Sequence, residues 1–370
     1  MQRQTPQQPG WMVELTAAVD IPAEKIQWIW PGWLPRAKLS ILAGAGGCGK
    51  TTLAISLAAR LSKGDSWPDG SKCEAAGNVV IWSGEDGIAD TIIPRLTAAD
   101  ADLNRVHIIE GLRDQSGNRR QFDPAANFAL LNEAAARIDG VSLLIFDPLI
   151  NLIRGDMHRA NEVRQGLQMV VDFAERHCCA VLGISHLSKG TSQSSAANRV
   201  IGSQAFSALA RTVLVAEKDQ YSEARVLVRA KSNVSIDSGG IEYFVEPIVI
   251  DEQLETTCIR WGEAIEGSAE AILAAIEQTN SPIPASAIQE ACSFLKETLQ
   301  AGPVAITALK SLAEESCISW ASVRRARKKL GIRSHKTGMQ GGWALGLPTS
   351  PRQHLKQLSP PQLRPARHQG

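Results

Sequence analysis

An α/β fold with a mainly parallel sheet, followed by a small carboxyl-terminal domain, is what this sequence predicts. Three observations predict it. Short apolar runs alternate with longer helical stretches from Leu39 onward, the pattern of successive βαβ units. A glycine-rich segment, Gly44 to Thr51, joins the first apolar run to the first helical stretch. Charge divides sharply along the chain: Ser316 to Gly370 holds eleven Lys or Arg and no Asp or Glu, leaving 28 basic against 38 acidic side chains in the rest.

Taken in order, residues 1–27 read as a flexible lead-in, and the Trp- and Pro-rich stretch that follows (Trp28, Trp30, Pro31, Trp33, Pro35) as a packed approach to the core. Strands are expected at Leu39 to Ala43, Asn78 to Ser83, Val106 to Ile109, Val141 to Asp147, Ala180 to Ser185 and Thr212 to Ala216. Helical patterns lie between them at Lys50 to Ser62, Ala125 to Arg137 and Asn161 to His177. Ala224 to Lys231, Ile241 to Glu246 and Thr256 to Trp261 then follow one another without a helix, which predicts antiparallel strands added at one sheet edge. The core is thus expected over 28–262 and a helical linker over 263–303, with a helix near Ala269 to Gln278 and a break at Ser281-Pro282-Ile283-Pro284. A second domain follows over 304–347, with helices at Ala305 to Glu315 and Trp320 to Leu330 and then a glycine-tipped hairpin. Ser319 is placed to cap the second of these helices and Gly331 to stop it. The tail, 348–370, rich in Pro, Gln and Arg, is expected to be disordered.

Composition narrows the function. Hydrophobic residues make up 44% and charged residues 21%, which suits a globular chain with a sizeable core and excludes a fibrous or disordered one. The first residues lack the layout of a signal peptide and no apolar run is long enough to span a bilayer, so a cytoplasmic protein with no membrane partner is expected. Seven scattered cysteines form no CxxC pair, and neither a zinc site nor a disulfide framework is expected.

Gly44-Ala45-Gly46-Gly47-Cys48-Gly49-Lys50-Thr51 fits the G-x-x-x-x-G-K-[ST] pattern between a strand and a helix. Glycines let successive N–H groups turn toward phosphates, and the helix start adds partial positive charge. Lys50 is then the group for the β and γ phosphates of ATP and Thr51 a ligand for Mg²⁺, with Thr52 continuing the binding segment. The apolar strand Val141 to Phe146 delivers Asp147 to the sheet edge where nucleotides bind, which makes it the second metal-side residue. Val79 to Trp82 leads into Ser83-Gly84-Glu85-Asp86, and Glu85 is the candidate for orienting the attacking water. Ala180 to Ile184 ends in Ser185-His186, which puts His186 where a γ-phosphate can be sensed. The polar run from Lys189 to Arg199 is expected to contact nucleic acid.

These four elements in this order resemble the RecA superfamily, and within it the plasmid RepA-type hexameric helicases related to DnaB, over roughly residues 28 to 247. The resemblance implies a RecA-like P-loop NTPase core, with Glu85 as catalytic glutamate, Asp147 as Mg²⁺-side aspartate and His186 as γ-phosphate sensor. It also implies ATP between subunits of a ring, with Arg211 as the residue a neighbour inserts. A surface arginine at a helix end fits Arg211 equally. Where DnaB-like proteins carry Lys-x-Arg, this chain has Lys231-Ser232-Asn233, and a DnaB-like amino-terminal domain has no counterpart before Leu39. The carboxyl-terminal domain resembles the winged helices of phage and integrated-element ATPases. That resemblance implies duplex DNA contact through Arg324, Arg325 and Lys328.

Single-stranded DNA is expected in the core, at loops near Met157 to Arg159 and Lys189 to Arg199. Three functions stay open at this point. One is a DNA helicase or translocase for replication of a plasmid, phage or integrated element. The others are an ATP-controlled DNA-binding switch and an accessory recombination ATPase.

Overall fold

The computed structural model describes residues 13–157, 159–186, 204–219, 223–251, 254–280, 284–336 and 343–347. Its centre is a nine-stranded sheet, and the inner strands are apolar runs because both faces are covered. β1 (Trp28–Trp30) and β2 (Leu34–Pro35) form a separate small hairpin ahead of β3 (Lys38–Gly44). After β3 come α1 (Lys50–Lys63), β4 (Asn78–Ser83), α2 (Ile93–Ala98) and β5 (Val106–Ile108). A second hairpin, β6 (Leu112–Arg113) with β7 (Arg119–Arg120), precedes α3 (Pro124–Ala135) and β8 (Val141–Asp147). The core continues with α4 (Ala160–Arg176), β9 (Ala180–His186), α5 (Gln204–Leu209), β10 (Thr212–Lys218), β11 (Arg225–Ser232), β12 (Ser238–Asp251), β13 (Leu254–Ser268) and α6 (Ala269–Asn280).

Strand order in the sheet is β13-β12-β11-β10-β3-β9-β8-β4-β5. Pairing is parallel from β10 to β5 and antiparallel from β10 to β13, as the change of sequence pattern after Ala216 predicts. The chain leaves β3, crosses through α1 and lands on β4 beyond β9 and β8. β3, β9, β8 and β4 therefore all deliver their carboxyl ends to one edge, Gly44 lying beside His186 and Ser83 beside Asp147 in the register. That edge is where ligands bind in open parallel sheets.

Helices cover both faces. α1 and the tryptophans Trp30, Trp33 and Trp67 pack with Leu42, Ile81, Leu143 and Leu182 on one face. α4 lays Val163, Leu167, Val170 and Phe173 on the other face at helical spacing, joined by Phe128 of α3 and Ile272 of α6. α1 stops at Gly64, whose φ of +75° lets its N–H reach Leu61 O while Asp65 N–H reaches Arg60 O. The expected packed lead-in is observed, with Trp30 stacked between Trp33 and Trp67 at centroid distances of 4.6 and 5.3 Å.

Two boundaries differ from expectation. β13 runs to Ser268, six residues past the expected core limit, because it stays paired with β12 as far as Ser238; at the other end of the ribbon Val249 and Leu254 are exposed. The expected linker also contains α7 (Ala285–Thr298), whose Ala291, Cys292 and Leu295, with Leu299 just beyond, belong to the carboxyl-terminal core. They pack with Leu309 of α8 (Ile306–Glu315) and with Val323 and Ala326 of α9 (Trp320–Lys329). A three-stranded sheet completes this unit, in the order β14 (Val304–Ala305), β16 (Trp343–Gly346), β15 (Arg333–Lys336). Ser319 caps α9 by accepting from Ser322 N–H at 3.1 Å, and Gly331 ends it at a φ of +65°. Residues 1–12, the hairpin tip at 337–342 and the tail from 348 lie outside the described residues.

Candidate active site

The loop after β3 is built for close approach to its ligand. Gly47 and Gly49 hold φ values of +79° and +84°, the left-handed region that a side chain resists. A Cβ at Gly49 would lie 2.7 Å from Val245 Cγ2, and one at Gly44 only 2.5 Å from Ala216 O. Ala45, Gly46 and Gly47 form an exposed crown, while Cys48 is fully buried and its thiol turns back to Ala45 O at 2.9 Å. Burial pushes the Cys48 thiol up, so it stays protonated and acts as packing.

Lys50 opens α1 and is 7% exposed. Its ammonium donates to Gly44 O at 3.0 Å and Ala45 O at 3.1 Å, which holds it across the mouth of the loop. Thr51 Oγ1 donates to Asp147 Oδ2 at 2.6 Å, and Asp147 ends β8 at 3% exposure. Burial pushes the Asp147 carboxyl up to about 6; the Thr51 hydroxyl and Lys50 oppose the rise, whereas Glu85 and Asp86 add to it. Thr52 is buried in the first turn of α1 and continues the loop into the helix.

A hydroxyl and a carboxylate this close are hard oxygen donors, and they fit Mg²⁺, which takes few protein ligands when phosphates and water supply the rest. Among the described residues no group of three or more His, Cys, Asp or Glu gathers as a softer metal site would need. Thr51 and Asp147 would hold Mg²⁺ from the protein side, and the ion would supply positive charge against the phosphates.

Glu85 and His186 complete the edge. His186 Nδ1 lies 3.4 Å from Lys50 Nζ and its Nε2 lies 3.9 Å from Glu85 Oε1, so one ring links the phosphate lysine to the candidate base. Glu85 is 53% exposed and open to a water. Its neighbour Asp86 is engaged, accepting from Arg95 Nη1 at 2.7 Å. The turn bearing both is tied to β8 by Gly84 N–H donating to Asp147 O at 2.7 Å.

Arg211 stands elsewhere. Its N–H donates to Leu39 O, at the opposite end of β3 from Gly44, which is roughly 16 Å away at the strand rise. It reaches no phosphate in its own loop. Lys231 is close by, its ammonium pushed down by burial and then by the charge of Arg211.

The nucleic-acid residues expected on α9 separate as well. Arg324 is ion-paired with Asp219, Arg325 is 6% exposed, and Lys328 faces solvent. A basic run in sequence does not reveal which helix face meets the core, and here Val323 and Ala326 turn that face inward. Lys189 and Arg199 lie outside the described residues.

Sequence reasoning missed one brace. Tyr243 of β12 is fully buried, and its hydroxyl donates to Cys48 O at 2.7 Å, so the antiparallel extension grips the phosphate loop. The signal was a tyrosine within an apolar strand, whose hydroxyl must find a partner. Trp261 of β13 adds a bond from Nε1 to Ser56 Oγ in α1, at 3.0 Å.

No curated protein matches the chain at a significant level. Among solved structures, the ATPase domain of another protein is similar at 13% identity and a TM-score of 0.43, covering 60% of this chain and 88% of that one. A family model described as AAA domain matches residues 6–192, just over half of the 370. That span contains the phosphate loop, Glu85, Asp147 and His186, the equipment of a P-loop ATPase, and the chain belongs to this AAA domain family.

Proposed function

We propose that the chain is an ATP-driven DNA helicase or translocase of the RepA type, working as a ring of identical subunits, hexameric as in the family it resembles. Its place is the replication of a plasmid, phage or integrated element. The observation that carries this reading is the linkage Lys50–His186–Glu85 at 3.4 and 3.9 Å. His186 lies beside the lysine that holds the phosphates and the acid that orients water, and it ends the strand that precedes the polar run Lys189 to Arg199. Loss of a γ-phosphate is thereby felt at the start of a segment suited to grip a nucleic-acid backbone.

In the chemical step, loop N–H groups and Lys50 hold the triphosphate while Thr51 and Asp147 serve the Mg²⁺ side. Glu85 accepts a proton from the attacking water. Arg211, remote from its own loop, serves the loop of a neighbouring subunit, which favours hydrolysis at interfaces. Arg113 and Arg119 are direct cross-strand partners on the exposed β6–β7 hairpin, and although Glu110 lies 3.6 Å from Arg119, the hairpin also carries Arg120 and offers a polyanion a net positive surface. That hairpin follows β5 at the nucleotide edge and extends the expected single-strand track. Helix, helix and hairpin over 304–347 support a winged-helix reading for duplex contact.

Measuring ATP turnover with and without single-stranded DNA, alongside strand displacement, tests the proposal. Several-fold stimulation together with displacement is expected. Unstimulated turnover with no displacement would overturn it and leave the ATP-controlled switch.

A further inference from the structure

The basic face of α9 is turned toward the ATPase core. Arg324 Nη1 lies 3.3 Å from Oδ2 of Asp219, a residue just past β10 that is 1% exposed. A carboxylate at that depth is stable as an ion only with cations set against it. Glu242 of β12 is the next acid along: burial pushes its carboxyl up, and the charges of Arg324 and then Arg327 oppose the rise. Between core and carboxyl-terminal unit lies a cavity of about 460 Å³, with Glu242, Glu263 and Glu266 on one wall and Lys310, Arg324 and Arg327 on the other. Three carboxylates face three bases across one seam.

Carboxylate and phosphate present the same chemistry to a guanidinium, two or more anionic oxygens in reach of its fork. The acidic shelf formed by Asp219 just past β10, Glu242 of β12 and Glu263 and Glu266 of β13 therefore offers α9 what a DNA backbone offers. We propose that this shelf is a docking surface for α9 and that duplex DNA competes with it for Arg324 and Arg327. While docked, α9 turns Lys328 and Lys329 to solvent and holds Arg324 and Arg327 against the shelf. This inference rests on the reading that the unit binds duplex DNA.

The test uses the full chain, a fluorescently labelled duplex and anisotropy at fixed salt. Asp219→Asn with Glu242→Gln removes shelf charge and leaves every base in place. Apparent affinity falls with the fraction of competent molecules, so freeing the unit should tighten binding by about tenfold. Glu255→Gln with Glu270→Gln, at exposed sites off the shelf, measures the general effect of removing two negative charges and should give much less. Hydrogen exchange over residues 319–331 should quicken in the shelf variant, with or without DNA. If wild type binds duplex, Arg324→Ala weakens it and the shelf variant matches the off-shelf control, the docking inference is overturned and duplex binding stands. If no form binds duplex, the inference falls together with the DNA reading beneath it.

Discussion

Replacing Glu85 by glutamine tests whether it, and not its neighbour Asp86, is the acid that handles water. The change keeps shape and removes only the charge and the capacity to take a proton. Glu85 is 53% exposed and the His186 ring lies 3.9 Å away. An exposed pair of this kind contributes about 0–1 kcal/mol to stability, so the fold should hold. General-base catalysis contributes about 10²- to 10⁴-fold, which is roughly 3–5 kcal/mol of barrier. Turnover by phosphate release should therefore fall by about that factor, while Mg²⁺-dependent ATP binding persists. Asp86→Asn should do the reverse: it breaks the 2.7 Å contact with Arg95, whose side chain is 22% exposed, and lowers unfolding free energy in urea by about 1 kcal/mol with turnover largely kept. An E85Q rate within about tenfold of wild type, below the range of base catalysis, would refute the assignment of the water-orienting role. So would an equal loss of rate in both variants.

Tyr243→Phe removes the hydroxyl that donates to Cys48 O at 2.7 Å and leaves a buried carbonyl without that donor. Unfolding free energy should fall by about 1–3 kcal/mol and the KM for ATP should rise; an unchanged denaturation curve would mean the brace is idle. Asp147 has a folded-state pKa raised to about 6 from 3.8, so its contribution to stability is fully present below pH 3.8 and is lost as pH rises through 6. Asp147→Asn should remove up to about 3 kcal/mol of that decline in magnesium-free buffer, and parallel pH–stability curves would count against the buried acid. Mixing Arg211→Ala subunits with wild type should lower ATPase per wild-type subunit if Arg211 acts across an interface, whereas strict proportionality would place the trans cation elsewhere.

Much of the core was legible because its central strands are buried on both faces and read as unbroken apolar runs bounded by glycines and acids. β3, β4, β8 and β9 begin and end within about a residue of expectation for that reason. The phosphate loop was legible because its glycines, its lysine and its threonine stand at fixed spacing between an apolar strand and a helix, and Gly47 and Gly49 take the φ values of +79° and +84° that the loop requires. α7 was hidden by prolines at its approach and by the small side chains, Ala291 and Cys292, with which it packs. The outer reach of β12 and β13 was hidden because Ile248, Val249 and Leu254 face solvent and give no buried-strand pattern. Arg324 and Arg325 looked outward in sequence only because charge says nothing of direction. Asp219, the acid that turns Arg324 inward, lies 105 residues away along the chain.

The central claim is that the loop from Gly44 to Thr51 grips a triphosphate through its amides and Lys50. Equilibrium binding of labelled ATP with Mg²⁺, wild type against Lys50→Ala, addresses it directly. Wild type should bind, and the variant should lose at least about tenfold, the worth of one hydrogen bond to a charged group. Equal binding by the two, or none by wild type, would contradict it.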